Sequence, residues 1–315
     1  MSRARWMALL TASASAALPR PVRSQPAPAI RMGGGIGDTN SEPYYGVECG
    51  AFEQAGLNVD VQTFNGGGIM LQACAGGAID VGIGDVIQVT SAINAGIPLA
   101  IFAPSALYVS DAPTTVLVVA KDGPVQSAKD LIGKTIAVTS LNSLQEISTR
   151  EWLHQHGGDP ARTTFVEMPG TGMIEAVLHG TIAGAVPGYT NMAVEQDRVQ
   201  LLRPLGKPFD VVAKTFVLSN FYARRNWLLA NTDVARRLAG AIYATARWSN
   251  EHHADTARVL VKNQRIDPAV AARMTRAQYA TSLDLQMLQP IVDIAAKYKA
   301  VKQPIAAADL VVKLN

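Results

Sequence analysis

The stretch GLNVDVQTFNGGGIMLQACAGGAIDVGIGD, residues 56–85, contains a strand, a helix and a second strand in direct succession. Residues 58–64 alternate as a half-buried strand does, and residues 69–75 have the spacing of a short helix. Residues 79–83 form an apolar run closed by glycine, as in a strand buried on both faces. Working outward, 29–32 read as a strand and 44–55 as a helix on one side, while 86–95 read as a helix and 99–103 as a strand on the other. The resulting βαβαβαβ string is the pattern of an α/β layer built on a largely parallel sheet.

From residue 115 the pattern begins again. Strands are expected at 115–120, 135–138, 165–168 and 182–186, with helices starting at 127 and covering 144–156 and 172–179, and a further helix and strand reach residue 204. Residues 215–222 are strongly β-prone, and the chain is then helical almost to its end. Thr232 and Asp233 can cap a helix whose stripe of Val234, Leu238, Ala241, Ile242, Thr245 and Trp248 is core; residues 285–299 repeat the idea. A faint echo between GAIDVGIG (77–84) and GTIAGAVPG (180–188) fits two copies of one supersecondary plan, with Ala183 where the first copy has Asp80. A length of 315 residues likewise exceeds what one hydrophobic core usually serves, so two lobes are expected.

Hydrophobic residues make up 48% and charged residues 17%, an ordinary globular balance. The net charge of +3 is scattered, with no basic block to track a phosphate backbone, which argues against nucleic acid as a partner. Arg3 and Arg5 precede an uncharged stretch at 6–18, and a polar, proline-rich segment follows at 19–28. That is the layout of a secretory signal peptide covering residues 1–24, cut after Ser24 or, as the second choice, after Ala27. Its apolar run is shorter than the ~20 residues of a spanning helix, so the expectation is export to the periplasm without membrane insertion. The only cysteines are Cys49 and Cys74, which an oxidising compartment would allow to pair. Right-handed crossovers put their helices on opposite faces of the sheet, so two separate half-buried thiols are expected.

Ligands of open α/β sheets gather where strands end and helices begin. Glycine and small polar residues fall at those places here. Asn65 with Gly66, Gly67 and Gly68 follows a strand and opens a helix, so its bare N–H groups can meet an anion or carbonyl; a tight turn needing glycine is the competing reading. Asp85 ends the third strand and can accept from a ligand or cap the next helix. Residues 35–41 offer Asp38 and Asn40, and Tyr44 in the following turn can stack on a ligand or fill the core. In the second half, Ser143 and Glu146 have capping-box spacing, which leaves Ser140 and Asn142 as ligand candidates, with Thr171 and Tyr189 after later strands. No nucleophile elbow, phosphate loop or His-Glu-x-x-His helix occurs, and the histidines are spaced as solvated side chains rather than metal ligands.

ECGAFEQAGLNV (48–59), GGG (66–68), AGGAIDVG (75–82) and SAKDLIGKTIAV (127–138) together resemble the nitrate/sulfonate/taurine and thiamine-pyrimidine-precursor group of ABC-importer substrate-binding proteins. The chain departs from that pattern at Cys74, in place of an aliphatic residue, and at Ala183, in place of an acid. The resemblance implies a two-lobed type II periplasmic-binding fold, each lobe a mostly parallel sheet flanked by helices. Lobe I would be 25–105 with 217–315 and lobe II 106–216, joined by hinge strands near 105–114 and 215–220. It further implies a monomer with no cofactor and no catalysis, partnered by an ABC permease and its ATPase. A small organic molecule, expected to be anionic, would meet Asp38, Asn40, Tyr44, Gly67, Gly68 and Asp85 first, and hinge closure would bring Ser140, Asn142, Thr171 and Tyr189 over it. Two other readings are an enzyme on the same fold, against which the leader argues, and a ligand-sensing module for a membrane receptor.

Overall fold

The computed structural model describes residues 29–188, 192, 199–302 and 304–314; the expected leader at 1–24 and Tyr189 lie outside them. The first half runs β1 (Ile30–Gly35), α1 (Glu42–Glu48), α2 (Ala51–Gln54), β2 (Val59–Phe64), α3 (Gly67–Ala75), β3 (Val81–Asp85), α4 (Val86–Asn94) and β4 (Leu99–Pro104). The helix expected over 44–55 is broken in two because Gly50 takes a left-handed φ of 72°. The second half runs β5 (Ala106–Val109), β6 (Leu117–Ala120), β7 (Thr135–Val138), α5 (Leu144–Gln155), β8 (Thr164–Glu167), α6 (Gly170–Leu178), β9 (Gly184–Ala185) and β10 (Leu202–Gly206). Then come β11 (Thr215–Val217), β12 (Ser219–Arg224), α7 (Arg225–Ala230), α8 (Thr232–Glu251), α9 (His253–Gln264), α10 (Pro268–Arg273), β13 (Gln278–Tyr279), α11 (Gln289–Lys297) and α12 (Ala307–Leu310).

Two five-stranded sheets result, ordered β2-β1-β3-β12-β4 and β10-β6-β9-β7-β8. Each keeps a parallel core but is mixed. β12 returns from the second half and enters the first sheet antiparallel between β3 and β4, while β6 and β10 run antiparallel at the edge of the second. β3 is almost wholly buried and β4 is buried along its length, which explains their continuous apolar runs. The echo between the halves has a structural counterpart: Gly77 and Gly180 take left-handed φ of 82° and 70° just beyond the ends of α3 and α6.

The two chain crossings between the lobes pair with each other. β11 lies antiparallel to β5 with Phe216 opposite Tyr108, and β13 from the helical tail pairs with the other edge of β5. The Tyr108 ring packs at 5.3 Å from Phe209 and 5.1 Å from Phe216, and its hydroxyl donates to Asp210 Oδ1 at 2.8 Å. α8 carries the expected apolar stripe, with Leu238, Ala241, Ile242 and Thr245 buried against α1 and α2, although Asn231 rather than Thr232 stands at its N-cap. Its tail partner α11 buries Ile291, Val292 and Ala295 and packs on α4 and α5.

That last contact closes the molecule on itself. Leu144 and Ile147 of α5, a lobe II helix, are buried in the large core of lobe I. Burial of such side chains is worth roughly 1.5–3 kcal/mol each. Glu151 on the same helix accepts from Lys297 Nζ at 2.7 Å and from the Tyr298 hydroxyl at 2.8 Å. The cysteines are both free: Cys74 is buried in α3, and Cys49 is half-buried at the end of α1.

Candidate functional site

The parallel strands of both sheets end toward one crevice. In lobe I the row of tips carries Gly35 of β1, Phe64 of β2, Asp85 of β3, Ser219 and Asn220 at the start of β12, and Pro104 of β4. A Cβ at Gly34 would sit 2.6 Å from the Tyr44 ring, so that ring packs directly against the backbone of β1. Its hydroxyl is 2.7 Å from Thr63 Oγ1. A Cβ at Gly35 would meet the Cβ of Asn40 at 2.8 Å, which places Asn40 beside Tyr44 at the same strand end.

α3 starts at Gly67 with no side-chain cap, and a Cβ at Gly66 or Gly68 would meet open space. Gly67 is different, because the Gln88 Oε1 atom stands 2.9 Å from where its Cβ would be. The other end of that amide reaches over the crevice, Gln88 Nε2 donating to Ser140 Oγ at 3.0 Å. Asp85 does the same with more force. Its Oδ1 accepts from Ile87 N at 2.8 Å and Gln88 N at 3.1 Å, capping α4, while Oδ2 accepts from Leu144 N at 3.1 Å, the first residue of α5 in the opposite lobe. Of the two roles open to Asp85, cap and ligand acceptor, the geometry fills the cap and adds a cross-lobe bond. Burial raises its carboxyl from the ordinary value against the pull of those three N–H groups.

The facing loop of lobe II has its amides taken by side chains. Thr139 N donates to Gln145 Oε1 at 2.9 Å, Leu141 N to Glu167 Oε2 at 3.1 Å and Asn142 N to Glu146 Oε2 at 2.7 Å. Asn142 is exposed and left-handed at φ 55°. The capping box expected at Ser143 and Glu146 does not form: Ser143 Oγ donates back to Ser140 O at 2.7 Å, and Glu146 reaches Asn142 instead while Arg150 Nε donates to its Oε1 at 2.7 Å. The physical reason is local: the Ser143 hydroxyl is turned back to Ser140 O and the Glu146 carboxylate is taken up by Asn142 N and Arg150, while Asp85 from the other lobe takes the Leu144 amide. Thr171 lies in the first turn of α6 at the tip of β8, its side chain outside the described part, and Tyr189 lies outside the described residues.

Asp38 is drawn out of the crevice and held by the protein itself. Arg276 Nε and Nη2 donate to its two oxygens at 2.8 and 2.9 Å, the Tyr45 hydroxyl to Oδ1 at 2.5 Å, and Ala277 N to Oδ2 at 2.7 Å. With the acid 4% exposed and so partnered, its expected ligand role gives way to a structural one.

Three polar groups at this end of lobe I escaped the sequence reading. Gln88 is the link just described. Asn220 is fully buried at the tip of β12; its Nδ2 donates to Gly84 O at 3.3 Å, and its Oδ1 has no partner among the described residues. Glu42, 1% exposed in the first turn of α1, accepts from Ser105 Oγ at 2.6 Å through Oε2, while its Oε1 has no partner among the described residues. Burial pushes its carboxyl well above the usual range, with the Ser105 hydrogen bond pulling the other way. Little signal was available there: Gln88 shares its helix with Thr90, Ser91 and Asn94, Asn220 follows Ser219, and Glu42 is an acid beside Pro43. Among the described residues no group of three His, Cys, Asp or Glu could hold a metal. Two cavities lie away from the crevice, one of about 420 Å³ lined by Trp152, His156, Lys207 and Lys214, the other of about 630 Å³ between α9 and α10.

Two α/β lobes, two paired crossings and strand tips turned to a shared crevice define a periplasmic-binding fold. A family model described as NMT1/THI5 like matches residues 40–255, and the chain belongs to that family. Solved structures share the architecture at low identity. The periplasmic aliphatic sulphonate binding protein SsuA from Escherichia coli superposes with a TM-score of 0.73 at 16% identity, over 91% of this chain and 93% of that one. The periplasmic nitrate-binding protein NrtA from Synechocystis PCC 6803 gives 0.72 at 14% identity, over 90% and 85%. The ligand binding component of an ABC-type import system from Staphylococcus aureus gives 0.74 at 15% identity, over 90% and 96%. No curated protein matches the sequence. No helix among the described residues is long and apolar enough to cross a membrane.

Proposed function

We propose that this protein is the exported solute-binding component of an ABC importer, and that it captures a small organic molecule in the crevice between its lobes. The observation that carries the reading is the pair of cross-lobe contacts at the strand tips, Asp85 with Leu144 and Gln88 with Ser140. These contacts support a closure that brings the two surfaces together, and the uncapped start of α3 at Gly66 to Gly68 lies open beside them. Lobe I is taken as 25–105 with 217–315 and lobe II as 106–216, so that β5 and β11 are the hinge. Asn40, Tyr44, Gly67, Gly68, Ser140, Asn142, Thr171 and Tyr189 are the proposed contacts, with Gln88 and Asn220 added. The leader is removed on export, the mature protein works as a monomer without chemistry of its own, and a permease with its ATPase reads the closed form. The similar structures from Escherichia coli and Synechocystis, described as sulphonate- and nitrate-binding, agree with such a role.

Thermal unfolding of the mature protein against a solute panel tests this, because a ligand of the native state raises the midpoint by mass action. Gly68→Leu fills open space without a positive-φ penalty, so it is expected to fold normally and lose the shift. A solute whose shift survives Gly68→Leu at full size binds somewhere else.

A further inference from the structure

Four carboxylates stand in or beside this crevice, and three of them use up the N–H groups that an anion would need. Asp85 takes the first amides of both α4 and α5, Glu146 takes Asn142 N and Glu167 takes Leu141 N. Gln145 takes Thr139 N as well. The two helix N-termini that meet across the crevice are therefore filled by a negative charge from the protein, which cancels their attraction for an anionic guest. Among the described residues neither Asp85, Glu42 nor Glu167 forms an ion pair; Glu146 has Arg150. The buried polar atom left over at the tip of β12 is an acceptor too. Among the described residues Asn220 Oδ1 has no partner, and the Asn220 amide is oriented by its donation to Gly84 O, so its oxygen is the free end. Three starts at these strand tips carry no side-chain cap, those of α1, α3 and α6, and each is a weak lone dipole end beside these carboxylates.

Resting on the solute-binding reading above, we infer that the crevice selects a solute that brings N–H donors and positive charge, an organic ammonium or amidinium, over a sulfonate, carboxylate or nitrate. Such a group supplies a donor to Asn220 Oδ1 and a counter-charge to Asp85 and Glu167. An oxyanion supplies neither, and it meets amides that are already bonded. This reverses the charge expected from the glycine-rich loop alone, and it separates the chain from the oxyanion binders it resembles in fold.

Charge-matched pairs on one skeleton decide it: benzamidine against benzoate and butylamine against butanesulfonate, with nitrate added, titrated into the full mature protein by calorimetry and thermal shift. The inference expects the cation of a pair to bind at least ten-fold more tightly than its anion. Glu167→Gln, at an exposed position, should narrow that ratio several-fold without altering the unliganded melting temperature, and Asn220→Leu, which removes the free acceptor, should narrow it further. Binding by an anion with no preference for its cation overturns the inference and leaves solute capture standing. Failure of every probe and of the wider solute panel removes the solute-binding reading, and the inference falls with it.

Discussion

Asp85 and Leu144 are joined across the crevice by a 3.1 Å hydrogen bond from the Leu144 N–H to Oδ2 of the acid. The other oxygen of the same carboxylate caps α4. Helix start and lobe closure thus depend on one side chain. Asp85→Ala is expected to cost about 1–3 kcal/mol, the sum of a lost cap and a lost charge-assisted bond. It should also shift the unliganded protein toward an open, larger form. Denaturant unfolding and X-ray scattering of the variant check the two halves of that statement; a variant that unfolds earlier but keeps the wild-type radius would limit Asp85 to capping.

Glu151 ties α5 to the tail on the far side of the same interface. Burial alone would raise its carboxyl, but hydrogen bonds from Lys297, Tyr298 and Gln155 outweigh it and bring it down to about 2 from 4.5. A carboxylate lowered in the folded state stabilises fully above its unfolded value and loses that contribution as the pH falls toward the folded one. Wild-type stability should therefore drop between pH 4.5 and about 2 more steeply than that of Glu151→Gln. Parallel unfolding curves for the two proteins over that window would show that the contact contributes nothing.

Arg276 and Asp38 form a buried pair, with side chains 9% and 5% exposed. Removing one partner leaves a charge without compensation, so Arg276→Ala is expected to cost about 3–5 kcal/mol. Because the pair is turned away from the crevice, solute affinity per folded molecule should stay within about two-fold while each tenfold loss in affinity would mark ~1.4 kcal/mol of direct contact. Calorimetry well below the melting transition separates the effects. A large loss of affinity in a folded Arg276→Ala would return Asp38 to the ligand set.

The thiols give a sharper contrast. Burial pushes Cys74 up to about 12, and its Sγ donates to Asp80 O at 3.6 Å, whereas Cys49 is half-buried at a helix end. A thiol reagent is expected to modify Cys49 in the native protein and Cys74 only after denaturation, since the thiolate is the reactive form. Recovery of no free thiol from unreduced protein would mean that the two pair.

The strand tips were legible because each change of period, from two to helical, was marked by glycine or a small polar residue, at 35, 66–68, 84–85 and 140–143. What local reading missed came from distance. Asp38 looked free because its partners lie at 276 and 277, on the far side of the hinge in sequence. Ser143 and Glu146 had the right spacing for a capping box, and the box is absent because Ser143 Oγ turns back to Ser140 O and Glu146 is taken by Asn142 N and Arg150. Gln88 shares α4 with Thr90, Ser91 and Asn94, and Asn220 follows Ser219, so neither stands out by period, and only the assembled fold brings Gln88 to the facing loop and Asn220 to the tip of β12. The antiparallel entry of β12 between β3 and β4 was equally hidden, since nothing in residues 219–224 states which neighbours they take.

The central claim is that one crevice closes on its solute. X-ray scattering of the mature protein, alone and saturated with a solute proven by calorimetry to bind, tests it most directly. The account predicts a smaller radius of gyration with the solute. Superimposable wild-type profiles, with binding confirmed in the same sample, would contradict it.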